Sequence, residues 1–203
     1  MLFIKGRSGG NINTITMMQS LFLSSALLIF AFVAFVNGCS KQVKSNLLVL
    51  DGVNVGETPS LLVELEAMNV PVVLAVSMTD LRAFPTVRLI AREAALRGHH
   101  VILSTTEEYN SDTKKEWSEY LGGINLKYST RNLEYTLDLS PDHVTAIPQL
   151  IQEKIAETLS IGRIIYLNSF TVGAKGKALS AIQAYQTAGF QFISLPECIK
   201  KAQ

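Results

Sequence analysis

The order and type of the apolar runs constrain this chain more than any other feature. Residues 47–50, 71–76, 100–103, 163–167 and 190–194 are short, nearly continuous apolar stretches, and segments of helical spacing stand between them. A strand that is apolar at successive positions needs burial on both faces, as in parallel sheets covered by helices. Repeated β-then-α order therefore gives an α/β fold. Hydropathy alone leaves both a barrel and an open doubly wound sheet.

The helical segments carry their own punctuation. Thr58-Pro59 supplies an N-cap and a first-turn proline for a helix through Met68. From Pro85, the residues Val87, Ile90, Ala91, Ala94 and Ala95 are spaced to face a core, and Gly98 stops the helix. Asn110 opens a polar helix that ends at Gly122-Gly123. Leu126 and Tyr128, then Leu133, Tyr135, Leu137 and Leu139, alternate as strands do. Further helices are expected over 147–159, 179–188 and 195–201.

A chain of 203 residues, 48% hydrophobic and with a formal charge of +1, suits one ordinary globular domain and excludes a strongly basic, nucleic-acid-binding one. Part of the apolar excess is local. Residues 21–36 are nearly unbroken apolar sequence, follow Lys5 and Arg7, and end at the small-residue pattern Val36-Asn37-Gly38. Residues 1–38 read as a signal peptide, with Met17 and Met18 as alternative starts. About 16 residues fall short of the roughly 20 that span a bilayer, so the mature protein, residues 39–203, is expected to be secreted without a membrane span. It would be near neutral, and no pattern in it fixes an oligomeric state.

Two cysteines, Cys39 and Cys198, bracket that mature domain. A secreted context favours a disulfide between them, worth about 4 to 5 kcal/mol in the loop-entropy model. Two separate buried thiols, or lipidation of Cys39 in a loose lipobox, are the other readings.

Several segments together resemble a known family. Asp51-Gly52 after a strand, Thr58-Pro59, residues 71–76, the Phe84-Pro85 helix, Gly98-His99, residues 161–167 and residues 188–198 are similar to the polysaccharide deacetylase (NodB homology) domain, most of all the fungal-type chitin deacetylases. The resemblance runs over residues 39–198 and implies a distorted, incomplete (β/α) barrel. It also implies that Cys39, before the first strand, pairs with Cys198 in the closing helix.

The family removes acetyl groups from N-acetylglucosamine polymers by metal-assisted amide hydrolysis, in which a cation polarises the carbonyl and a carboxylate deprotonates water. Its Asp-Asp pair corresponds here to Leu50 and Asp51, so the resemblance implies loss of the base and retention of one metal ligand. Its two histidine ligands fall on Ser104 and Glu108. Its Arg-Pro-Pro-Tyr-Gly wall has at most Arg131, and its later Asp-Trp motif has Asp138 or Asp142 and no Trp. Its closing Leu-His, the general acid, reads Leu167-Asn168, and an amide cannot deliver a proton at neutral pH.

These substitutions point to a deacetylase-like protein without hydrolytic activity and without a cofactor. A structural or glycan-binding role toward chitin or another N-acetylglucosamine polymer, in a cell or spore wall, is expected. The enzyme reading keeps a divalent metal such as zinc on Asp51, Ser104 and Glu108, with Asp138 or Asp142 as base. His99 reads as a packing residue, His143 as a surface one, and Trp117 as part of a helix away from the site.

Overall fold

The computed structural model describes residues 44–104, 110–124, 126–130, 133, 135, 137–141, 146–158 and 163–200. All of them belong to one compact unit spanning residues 35–203. The expected signal peptide, Cys39, Glu108, Arg131, Asp142 and His143 lie outside the described residues.

The elements follow in the order β1 (Ser45–Asp51), α1 (Thr58–Ala67), β2 (Val72–Val76), α2 (Met78–Ala83), α3 (Pro85–Leu96), β3 (His100–Leu103) and α4 (Ser111–Leu121). They continue with β4 (Leu137–Asp138), α5 (Ile147–Thr158), β5 (Ile164–Asn168), α6 (Ala174–Thr187), β6 (Gln191–Phe192) and α7 (Leu195–Lys200). The strands form one parallel sheet ordered β3-β2-β1-β5-β4, with β6 pairing the first two residues of β1. The sheet does not close between β3 and β4, which makes it the incomplete barrel that the resemblance implies.

Continuous apolar strands are needed because both faces of the sheet are covered. Leu48, Leu50, Leu74, Val76, Leu103, Ile165 and Leu167 pack outward against helix residues such as Leu61, Leu65, Ala91, Trp117, Ala178 and Ile182. Leu47, Val49, Val73, Ala75, Ile102 and Ile164 pack inward with Leu133, Ile193, Leu195 and Cys198. Alternation along one strand thus feeds two cores.

Local chemistry sets the boundaries. The proline-led start of α1 holds, but the cap position is Glu57, without a side-chain cap bond, and Thr58 is a buried first-turn residue. Gly98 ends α3 at φ +85°, a conformation that other residues adopt only with strain. Asn110 caps α4 by accepting the Thr113 N–H at 2.9 Å. Helix α2 was not visible as an apolar repeat. It follows from Ser77, whose hydroxyl accepts the Asp80 N–H at 3.0 Å and donates to the Asp80 carboxylate at 2.8 Å. Among the described residues of the alternating segment 133–139, the two-residue strand β4 is formed, and α6 begins five residues before the expected 179.

The expected Cys39–Cys198 staple reaches outside the described residues. The described residues contain one cysteine and so hold no disulfide between two of their members; Cys198 is buried and is not a free thiol, but Cys39 lies outside them. The closure that is described is non-covalent: the Gln191 N–H donates to the Lys44 carbonyl at 2.8 Å and the Ile193 N–H to the Asn46 carbonyl at 2.9 Å. Among the described residues no helix is long and apolar enough to cross a membrane.

Candidate functional site

The C-terminal ends of parallel strands open on one side of the sheet, where loops carry functional groups. There β1 ends in Asp51, β4 in Asp138 and β5 in Asn168, and Ser104 follows β3. Leu50 does not face the mouth. It belongs to the helix-covered core and is 1% exposed, whereas Asp51 takes the inward parity of Leu47 and Val49.

Asp51 has a partner that the sequence reading did not single out. The Tyr166 hydroxyl, from the inward row of β5, donates to Asp51 Oδ2 at 2.7 Å. The Tyr135 ring lies against Tyr166, with centroids 4.5 Å apart and planes at 45°. Burial, then the hydrogen bond to Asp51 and its charge, hold the Tyr166 hydroxyl well above the usual tyrosine range. Burial and then the Asp51 charge do the same for Tyr135. Both phenols are therefore neutral at ordinary pH, and Tyr166 acts toward Asp51 as a donor. The period-two row Ile164, Tyr166, Asn168 was the available signal, since it puts Tyr166 on the face that Asp51 shares.

Asn168 is the register partner of Asp51 on β5. Its side-chain oxygen accepts the Phe170 N–H at 2.9 Å, and its own N–H donates to Ser140 Oγ at 2.9 Å. The amide oxygen therefore builds the turn after β5, in the manner of an Asx-turn. The Ser169 N–H donates to the Asp51 carbonyl at 2.8 Å, tying that turn to the end of β1.

Gly52, next in the chain, has φ +86°. A Cβ there would lie 2.5 Å from Phe170 Cε2, so the Phe170 ring covers the glycine while remaining 60% exposed. Val55 and Val172, in the same two loops, are exposed as well.

Of the remaining expected residues, the two that are described, Ser104 and Asp138, do not converge on Asp51. The Ser104 N–H donates to the Val76 carbonyl at 3.0 Å, and β2 separates β3 from β1. Two strand spacings place its backbone roughly 10 Å from that of Asp51. Asp138 is exposed, pairs in register with Tyr166, and accepts the Ser140 N–H at 2.8 Å. Among the described residues no group of three or more His, Cys, Asp or Glu side chains is placed to hold a metal ion. With Glu108 outside the described residues, Asp51, bonded to a phenol, and the neutral Ser104 hydroxyl supply one carboxylate between them, a poor fit to the metal that the resemblance implies.

Two other expectations concern residues away from the mouth. Trp117 is buried in the outer core and donates its indole N–H to the Ile124 carbonyl at 2.9 Å, a packing role. His99 is buried at the opposite end of the sheet, before β3.

An open parallel sheet of this order, lined inside and wrapped outside, is an α/β domain built as an incomplete (β/α) barrel. No protein-family model matches the sequence and no curated protein does. Solved structures do. The chitin deacetylase of the fungal pathogen Colletotrichum lindemuthianum is matched with a TM-score of 0.62 at 14% identity, over 79% of this chain and 89% of that one. Bacillus subtilis PdaA, a family 4 carbohydrate esterase, is matched with a TM-score of 0.62 at 13% identity, over 87% and 90%. A family 4 carbohydrate esterase from Bacillus anthracis gives 0.57 at 15%, over 84% and 92%. The chain thus shares the fold of these two family 4 carbohydrate esterases and of the chitin deacetylase. Equal scores for a fungal and a bacterial enzyme give no preference for the fungal type.

Proposed function

We propose that this chain is a secreted polysaccharide deacetylase-like protein that does not carry out metal-dependent N-deacetylation and that serves a structural or glycan-binding role in a chitin-containing cell or spore wall. The observation that carries this reading is the commitment of Asp51, the one carboxylate retained from the family's pair, to the Tyr166 hydroxyl at 2.7 Å. The neutral phenol occupies Oδ2, one of the two oxygens with which the carboxylate would hold a cation. Two further observations agree. Position 50 is filled by a leucine buried in the outer core, and the Asn168 amide is spent on a turn. Secretion rests on the apolar leader, and the polymer class on the fold shared with a chitin deacetylase.

The test is to assay the purified protein with acetylated chitin oligosaccharides in the presence of zinc, and separately for retention on chitin. No acetate above the no-protein control, no metal bound after dialysis, and retention on the polymer are expected. Acetate release that disappears in Asp51→Ala would overturn the reading in favour of a divergent deacetylase. Absence of both acetate and retention would remove the glycan role and leave a structural one.

A further inference from the structure

Far from the mouth, at the N-terminal end of β3, the chain buries a histidine without satisfying it. Gly98 turns the chain out of α3 at φ +85°, and the His99 N–H returns to the Ala94 carbonyl at 3.0 Å. These contacts pin the backbone and send the imidazole between α1 and α3. The residue is 6% exposed, and neither ring nitrogen has a hydrogen-bond partner, although the Leu62 backbone is close enough to favour a proton on the ring. The ring lines a recess of about 200 Å³ together with Glu66, Asn69, Pro71 and Arg97.

The charges around it are few and already engaged. From α1, Glu66 faces it; from the end of α3, Arg97 does, bonded to Glu66 and also to Glu93 at 2.8 Å. The segment leading into β2, Asn69 to Pro71, brings no ionisable group. His100, the next residue, has Tyr128 and Lys127 as its neighbours. Two helix C-termini, those of α1 and α3, would favour a cation here, but the Arg97 guanidinium supplies one. A proton on His99 therefore adds a second positive charge to a buried ring, beside an arginine that already holds the nearby carboxylate.

We propose that His99 is an acid-sensitive latch between α1, α3 and β3: on protonation the imidazole must reach water through the recess or take Glu66 from Arg97, and either move opens this end of the α1–α3 contact. Burial, the largest influence on the ring, disfavours the charged form, and Arg97 adds to this; the Leu62 backbone and the Glu66 charge oppose it without cancelling it. The sign follows from linkage. A histidine lowered below its ordinary 6.5 in the fold leaves stability intact above that pH, and stability falls as pH drops from 6.5 through the folded value.

Hydrogen exchange at two amides reads the latch directly: Val70, which donates to the Leu65 carbonyl, and His99, which donates to the Ala94 carbonyl. After correction for intrinsic exchange, their protection should fall on acidification below pH 6.5, by up to about tenfold per pH unit, the limit for one proton. In His99→Phe most of this fall should vanish, with any remainder due to His100, which burial and Lys127 also hold low, and in His100→Asn most of it should persist. If His99→Phe does not fold, NMR titration of the wild-type imidazole decides. A folded value below 6.5 supports the latch; a value at or above 6.5, or an acid response unchanged in His99→Phe or lost in His100→Asn, overturns it.

Discussion

The Tyr166 hydroxyl and the Asp51 carboxylate, 115 positions apart in the chain, meet at 2.7 Å across the seam between β5 and β1. Hydrogen bonds to a charged group contribute about 1.5 to 3 kcal/mol when sheltered and less near solvent. Tyr166→Phe is expected to lower stability by about 1 kcal/mol, and Asp51→Ala by a similar amount because it strands a half-buried phenol. Urea unfolding of both single variants and the double variant should give a coupling of about 0.5 to 2 kcal/mol. A coupling of zero would mean that the pair does not hold the seam.

Restoring the family's residue at position 50 should not restore a base. Leu50 is 1% exposed and packed against the helices, so Leu50→Asp buries a carboxylate with no partner beside it. A loss of about 3 to 5 kcal/mol is expected, visible as a lower urea midpoint or a failure to fold. A stable Leu50→Asp variant that releases acetate from chitin oligomers would contradict the outward placement of this side chain.

Gly52 separates two sources of strain. Its φ of +86° penalises any side chain, while the 2.5 Å approach of Phe170 Cε2 penalises volume at Cβ. Phe170 is exposed and its ring can swing aside, so the backbone part is the larger. Gly52→Ala is expected to cost about 1 to 2 kcal/mol, and combining it with Phe170→Ala should recover less than half. Thermal unfolding of the three variants measures this; full recovery would make the ring the main obstacle.

Tyr185 gives a pH dependence at the alkaline end. It is fully buried, its hydroxyl has no partner, and burial pushes its ionisation up to about 12 from 10.0. The folded state keeps the proton longer than the unfolded one, so stability is intact below pH 10 and falls as pH rises from 10 toward about 12. Tyr185→Phe should remove part of that fall, as tracked by circular dichroism in urea, and at pH 7 should be neutral or slightly stabilising, since it deletes an unsatisfied buried hydroxyl. An alkaline unfolding profile identical in the two proteins would count against it.

Much of the fold was legible because continuous apolar runs such as 47–50 and 163–167 serve two cores at once, and that demand is written in the residues themselves. Helix α2 was missed because six residues are too short for a repeat; its signal was the single cap formed by Ser77 and Asp80. Near 133–139 the described residues include one short strand, Leu137–Asp138, while Leu133 and Tyr135 pack inward beside it. At the site, Leu50, Asp51 and Asn168 could be placed at their strand ends by resemblance. The Tyr166 contact could not, because it depends on which residue of β5 stands opposite Asp51, and register is a property of the assembled sheet.

Strand β1 has the last strand at its start and β5 along its length, with partners more than a hundred residues downstream. Among the described strands the central one is therefore made first and completed last. On a ribosome it would emerge as a strongly apolar segment with half its hydrogen-bonding edge vacant until almost the whole chain had followed, so folding is expected to be slow, post-synthetic and intolerant of truncation at the C-terminus. Loss of residues 190–200 would unfasten not the tail of the molecule but its middle.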